Sequence, residues 1–310
     1  MLAFHADTTP LQLPSTHRFP HHKYAALRER LGERLPQLRL RAARMAPVPD
    51  VLRVHDAGYV QRVLDGSLST AEQREIGFPW SPAMPLRARR SVGATLAATD
   101  AALREGVAMN LGGGTHHASR DKGGGFCVFN DVAVAARRAQ ARKQVRRVLV
   151  VDLDVHQGNG SAALFAGDPD VFTLSLHGAR NFPFRKVASS LDVDLPDACG
   201  DADYLAALDA ALAEVAQRFE GPELAFYLAG ADPHEGDRLG RLKLSAAGLA
   251  ARDERVFAWL LARRVPTVML MAGGYPTDLE ALLQVQQASA EAALTAWTQW
   301  KNAATAAEPQ

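Results

Sequence analysis

The sequence predicts a single α/β domain: a central, mostly parallel β-sheet with helices on both faces. Three observations predict it. Short, near-continuous apolar runs recur along the chain, long Ala/Leu/Arg-rich segments separate them, and polar or glycine-rich clusters directly follow several of the runs. A run that is apolar at nearly every position suits a strand buried on both sides. Alternation of such strands with helices builds a parallel sheet covered on both faces. The 310 residues are enough for such a domain. No repeat of 20–50 residues and no long low-complexity linker divides them.

In chain order, a helix over about 85–105 leads into a strand over Val107–Leu111, and a second helix spans about 127–144. The clearest strand is Arg147–Asp152, followed by a strand over Val171–Leu176. A helix over about 202–219 precedes the strand Leu224–Ala229, and a helix over about 245–264 precedes the strand Pro266–Met271. A last helix covers about 277–300. The catalytic domain is expected over 1–300, with 301–310 as a frayed tail.

Composition narrows the function. Lys+Arg total 35 against Asp+Glu 34, a net charge of +1, which lacks the basic surplus of a dedicated nucleic-acid binder. With 47% hydrophobic and 22% charged residues the chain reads as folded rather than disordered. Two cysteines, Cys127 and Cys199, make no disulfide framework and suit a reducing compartment. The N-terminus has neither a basic n-region nor an apolar h-region, and the longest apolar runs are too short to span a bilayer. A cytoplasmic protein is expected.

The polar clusters carry the chemistry. They are Gly112 to His117, Asp152 to His156, Ser175 to His177, Ala229 to Asp232 and Gly273 to Tyr275. Ligands of open α/β sheets bind beyond the carboxyl ends of the strands, so clusters from five strands would meet at one site. In Asp152-x-Asp154-x-His156, alternate residues of an extended segment point the same way, and Asp232 can add a third oxygen. Two carboxylates and one imidazole leave an open position on a tetrahedral Zn²⁺. The tandem His116 and His117, behind three glycines that permit close backbone approach, suit acid–base work beside a metal-bound water. Tyr275 can donate to a developing oxyanion. His5, His17, His21, His22, His55 and His177 read as structural, with His21 and His22 in a surface turn before a helix. The glycine-rich stretch 123–130 lacks the spacing and the Lys-Ser/Thr of a phosphate-binding loop, which excludes a nucleotide site there.

Taken together, these residues resemble the histone deacetylase superfamily, of the arginase/deacetylase-like fold, and among its branches the class IV enzymes and bacterial histone deacetylase-like amidohydrolases. The similarity runs from His17-Arg-Phe-Pro20 to Gly273-Gly-Tyr275. It implies zinc-dependent hydrolysis of Nε-acyl-lysine amides, acetyl or longer fatty acyl, in proteins or peptides. By resemblance, Asp154, His156 and Asp232 hold one catalytic Zn²⁺, and His117 takes a proton from the attacking water. Tyr275 and the zinc stabilise the oxyanion. A histidinium, His117 rather than His116, returns a proton to the lysine amine, with Asp152 orienting His116 and Asn159 pairing with His117. A structural K⁺ is implied at Asp152, Asp154, His156, Ser175 and Leu176, and a substrate channel at Gly125, Phe126, Phe182 and Leu239. Asn159 stands where class I enzymes carry an aspartate, and Gln157 where a second histidine is common; both agree with class IV.

Three alternatives compete. A dinuclear manganese ureohydrolase would need further carboxylates, which Asp232-Pro-His234 and the residues after His156 do not supply. An acetylpolyamine amidohydrolase would favour a carboxylate at the position that, by the resemblance, Leu239 occupies here. A non-catalytic acyl-lysine-binding module would show loss of a ligand, a tandem histidine or the tyrosine, and all are present. No long inserted dimer-building loop is seen, which favours a monomer, and the expected partner is an acylated lysine substrate with no direct nucleic-acid contact.

Overall fold

The computed structural model describes residues 1–305 apart from Pro10, Gln12, Ser15 and Thr16. In chain order the elements are β1 (Leu2–His5), α1 (Lys23–Arg34), β2 (Arg39–Ala42), α2 (Val48–Val51), α3 (Ala57–Asp65), α4 (Thr70–Ile76), α5 (Ala83–Glu105), β3 (Val107–Asn110), α6 (Asp131–Ala141), β4 (Val148–Asp152), α7 (Asn159–Leu164), β5 (Val171–Gly178), β6 (Leu191–Leu195), α8 (Asp201–Arg218), β7 (Leu224–Leu228), α9 (Ala246–Ala262), β8 (Thr267–Leu270) and α10 (Leu279–Thr305).

The strands form one sheet in the order β2-β1-β3-β8-β7-β4-β5-β6, with every adjacent pair parallel. Parallel neighbours need crossovers, and the helices that supply them cover both faces. Alternation along each strand sorts side chains between two cores. Leu149 and Val151 of β4, Ala225 and Tyr227 of β7 and Met269 of β8 pack with α1, α8, α9 and α10. Val148 and Val150, Phe226 and Leu228, and Val268 and Leu270 pack on the other face with α3, α5 and α6. The central strands are thus buried at every position and apolar at most of them, because both of their faces are covered.

Short polar side chains fix where helices begin. Asn130 accepts from the Ala133 amide at 2.9 Å to start α6, and Ser245 accepts from the Gly248 amide at 3.0 Å to start α9. Ser69 and Glu72 form a reciprocal capping box on α4.

The five expected strands and five expected helices are present, with ends shifted by a few residues; the largest shift is at the end of α10, which runs to 305 rather than 300. Three strands escaped the sequence reading. β2 and β6 are the sheet edges and are largely exposed or half-buried, so neither carries a continuous apolar run. β1 is four residues long. α1 begins at Lys23, directly after the His21–His22 turn as expected, whereas helices α2 to α4 and α7 were not anticipated. The Ser175–His177 cluster lies inside β5 rather than after it, because β5 continues to Gly178 to pair with β6. At the C-terminus α10 runs to Thr305, so 301–305 is helix rather than frayed tail; 306–310 lie outside the described residues. No helix among the described residues is long and apolar enough to cross a membrane.

Candidate active site

Four neighbouring strands, β3, β8, β7 and β4, end on the same edge of the sheet, and the chain segments that leave them build one site. β3 delivers Gly112–His117, with Gly113 and Gly114 at φ of 73° and 69°. Asp131 at the start of α6 holds this segment: its carboxylate accepts from the amides of Gly114 (3.1 Å) and Thr115 (2.8 Å) and from the Thr115 hydroxyl (2.7 Å). β4 delivers Asp152, Asp154 and His156, β7 delivers Asp232, and β8 delivers Tyr275.

Asp154, His156 and Asp232 are buried, and each offers one donor atom within 4.8 Å of the others, so the trio could hold a metal ion. His156 Nδ1 stands 2.9 Å from Asp154 Oδ1 and 3.2 Å from Asp232 Oδ2. Backbone amides take the remaining carboxylate oxygens: Gly273 donates to Asp154 Oδ2 at 2.8 Å and Val155 to Asp232 Oδ1 at 2.9 Å. Gly273 is required here, because a Cβ would stand 1.9 Å from Asp232 Oδ2. Burial and the facing Asp154 raise the Asp232 pKa to about 7. Burial opposes charge on His156, yet the two carboxylates carry its pKa up to about 10. A pair of buried carboxylates aimed at one point calls for a cation between them, and the two-oxygen, one-nitrogen donor set fits a divalent ion such as zinc.

The tandem histidines sit in opposite electrostatic settings. His116 Nδ1 lies 2.6 Å from Asp152 Oδ2, and although burial disfavours its charge, Asp152 and then Asp154 push its pKa up to about 9. Burial, reinforced by the charges of His116 and His156, pulls the His117 pKa well below the ordinary histidine value. His117 Nδ1 pairs with Asn159 Oδ1 at 2.7 Å, and the Nε2 atoms of the two rings are 3.2 Å apart. An amide oxygen on Nδ1 keeps that nitrogen protonated and leaves Nε2 as the basic atom. The Tyr275 ring stands 6.2 Å from that of His156; burial, then Asp154 and Asp232, raise its pKa well above the phenol value, so its hydroxyl stays a donor.

These groups face a cavity of about 970 Å³, mouth included, lined by His116, His117, Asp154, His156 and Tyr275 and walled by Phe19, Phe78, Met84, Leu111 and Phe126. Of the four expected channel residues, Gly125 and Phe126 line it. Phe182 stands beside it, half exposed, with its ring 4.9 Å from His117, and Leu239 is tied to the Phe182 loop through the Asn181 side chain, which donates to the Leu239 carbonyl at 2.8 Å. Ser175 and Leu176 are buried in β5, with Ser175 paired opposite Asp152 and its hydroxyl 2.9 Å from His177 Nδ1. Gln157 turns away from the cavity and clasps the segment before β6 through Val187 and β6 itself through Asp192.

The sequence reading missed three contributors. Buried Lys23 donates to the Gly274 carbonyl at 2.9 Å, and Asp237 accepts from the Tyr275 amide at 2.6 Å, so two charged side chains grip the peptide just before Tyr275 from both ends. His5, taken as structural, lines the inner cavity, where Asp7 holds its Nδ1. Nothing in local spacing points to Lys23 or His5, and Asp237 sits in a stretch that drew notice for Leu239.

The histone deacetylase domain model matches residues 17–292. An uncharacterized protein of the cyanobacterium Picosynechococcus is 40% identical over 286 residues, covering 91% of this chain and 94% of its own. A histone deacetylase 2 of Arabidopsis thaliana is 37% identical, covering 73% of this chain and 60% of its own. A histone deacetylase-like amidohydrolase of Pseudomonas aeruginosa is 35% identical, covering 71% and 61%. A single family model that spans the segments carrying the tandem histidines, Asp154, His156, Asp232 and Tyr275 settles the kinship: the chain belongs to the histone deacetylase family.

Proposed function

We propose that the protein hydrolyses the amide of an Nε-acyl-lysine, acetyl or longer fatty acyl, in a protein or peptide, releasing lysine and a carboxylate. The observation that carries this reading is the pairing of two adjacent histidines of opposite electrostatic bias with a buried Asp–His–Asp trio in one cavity. Asp154, His156 and Asp232 would hold a single Zn²⁺, which supplies Lewis acidity and acidifies water.

The remaining work falls to side chains. His117 is the base: held neutral by burial and by neighbouring charge, it takes a proton from the attacking water at Nε2, while Asn159 fixes the ring through Nδ1. His116, paired with Asp152, keeps its proton and contributes positive charge beside the developing oxyanion. The Tyr275 hydroxyl donates to that oxyanion, and Lys23 and Asp237 hold the tyrosine's backbone still. The His117 imidazolium then gives its proton to the leaving lysine amine. Gly125, Phe126, Phe182 and Leu239 are assigned to the passage for the lysine stem, and the apolar inner wall of Phe19, Met84 and Leu111 is the support for an acyl chain longer than acetyl.

The reading extends to a K⁺ held by Asp152, Asp154, His156, Ser175 and Leu176, for which the register of β4 against β5 is the support. Asn159 and Gln157 favour a class IV-like enzyme, and two free, buried cysteines favour a cytoplasmic setting. The test is a panel of lysine peptides bearing acetyl through myristoyl groups, assayed before and after chelation and after Zn²⁺ is restored. Metal-dependent amine release is expected, and the best chain length names the acyl group. Silence on the panel with turnover of acetylpolyamines would replace lysine by polyamine, and silence on both, in zinc-loaded protein, would leave a binding module.

A further inference from the structure

Arg252 of α9 is fully buried in the apolar layer beneath the sheet. Burying an ion pair is costly, and well-packed apolar residues are often as stable in its place. The contacts of this guanidinium give it another use. Its Nε donates to Asp253 Oδ1 at 2.8 Å, and Asp253 in turn accepts from the hydroxyls of Tyr227 and Ser289. Its Nη1 donates to the carbonyl of Gly230 at 2.6 Å and approaches that of Leu153 at 3.4 Å. Leu153 immediately precedes Asp154, and Gly230 lies two residues before Asp232.

These carbonyls stand where the β4–β7 ladder gives out. The last paired residues are Asp152 and Leu228, and Leu153 still donates to the Leu228 carbonyl at 3.1 Å. Past that point the two segments run so close that a Cβ on Gly230 would sit 2.8 Å from the Asp154 Cα. One guanidinium nitrogen reaches both, from a helix braced by a buried carboxylate. We propose that Arg252 is a positioning residue that sets the separation of Asp154 and Asp232, and thereby the affinity and geometry of the metal site. This rests on reading the trio as a metal site.

Four metal-free proteins test it: wild type, Arg252→Lys, the double variant Arg252→Met/Asp253→Leu, which leaves no lone buried charge, and Ser289→Ala, which loosens the same cluster without touching either carbonyl. Each is titrated with Zn²⁺ against a chromophoric chelator and with Co²⁺ read by its visible spectrum, and the thermal midpoint of each metal-free form is recorded. Lysine lacks the planar fork of arginine, so Arg252→Lys and the double variant are expected to bind Zn²⁺ about 10–100-fold more weakly, the range for partners that orient metal ligands, with altered Co²⁺ bands. Ser289→Ala is expected to lower the midpoint and bind as wild type does. If Arg252→Lys does not fold, the double variant decides. Affinities within twofold of wild type with unchanged bands would overturn the inference, as would an equal loss in Ser289→Ala. Wild type taking up neither ion would remove the metal reading itself, a distinct result.

Discussion

Replacing Asn159 with Asp asks whether His117 is the base. His117 Nδ1 stands 2.7 Å from Asn159 Oδ1, and burial together with the charges of His116 and His156 holds its pKa well below the ordinary value. The amide orients the ring without contributing charge; the substitution puts a carboxylate in nearly the same place. Two unit charges about 4 Å apart attract by about 4 kcal/mol at an effective dielectric of about 20, and about 1.4 kcal/mol moves a pKa by one. Desolvation of the new carboxylate takes back part of that, leaving about one to three pH units, the usual effect of an adjacent opposite charge. A base works when neutral, so raising its pKa protonates it at pH values where the wild type is active. The acid limb of kcat/KM on an acyl-lysine peptide is therefore expected to move to higher pH by about one to three units, at saturating metal. An acid limb that stays in place, with an unchanged plateau, would remove His117 from the role of base.

Three further predictions concern single sites. Tyr275→Phe is expected to lower turnover by about 10²–10³, the scale for one oxyanion donor, with metal content unchanged by elemental analysis; near-normal turnover would take the phenol out of the mechanism. Lys23→Met removes the donor to the Gly274 carbonyl, and kcat is expected to fall with KM little changed because Tyr275 loses its anchor rather than the substrate its pocket; a change confined to KM would contradict this. Gly93→Ala should destabilise the fold by about 1–3 kcal/mol or more, since a Cβ there would stand 1.8 Å from the Arg44 carbonyl where α5 crosses the chain after β2; a wild-type denaturation midpoint would refute that packing.

The legible parts of this sequence are those in which local pattern and tertiary role coincide. β4, β5, β7 and β8 announce themselves because burial on both faces makes most positions apolar, and the clusters after β3, β4, β7 and β8 stand out as polar residues where an apolar run stops. Edge strands carry no such mark: β2 reads Arg-Leu-Arg-Ala and β6 Leu-Asp-Val-Asp-Leu because one side of each needs no neighbour. The same limit applies to the site. His116, Asp154 and His156 lie in short recognisable spacings, whereas Lys23 reaches Gly274 across 251 positions and Arg252 reaches Leu153 across 99. Such contacts follow from the path of the chain, which no local window contains. Gln157 shows the converse: adjacent to a ligand in sequence, it serves β6 and the segment before it instead.

Metal binding should also report on the protons that occupy the site in the ion's absence. In the metal-free protein His156 titrates at about 10, held up by two carboxylates against burial, and Asp232 at about 7, held up by burial and by Asp154. Below pH 7 both groups carry a proton; between pH 7 and 10 His156 alone does. Both must be deprotonated to act as ligands, so binding releases about two protons in the lower range and at least one in the upper. The apparent affinity for Zn²⁺ is therefore expected to rise steeply with pH near 6 and less steeply near 8. The same linkage has a sign for folding. The Asp232 pKa is raised above its unfolded value of about 3.9, so its stabilising protonation is fully present below that pH and is lost as pH rises through about 7. The metal-free protein should weaken over that interval while the zinc-loaded protein does not, and the gap between their thermal midpoints should widen from pH 5 to pH 8. At a free zinc concentration of about 1,000 times Kd the bound ion adds about 4 kcal/mol, enough to be read directly. A gap that stays constant with pH would mean that metal binding releases no proton over this range, so that neither Asp232 nor His156 carries the proton assigned to it in the metal-free protein.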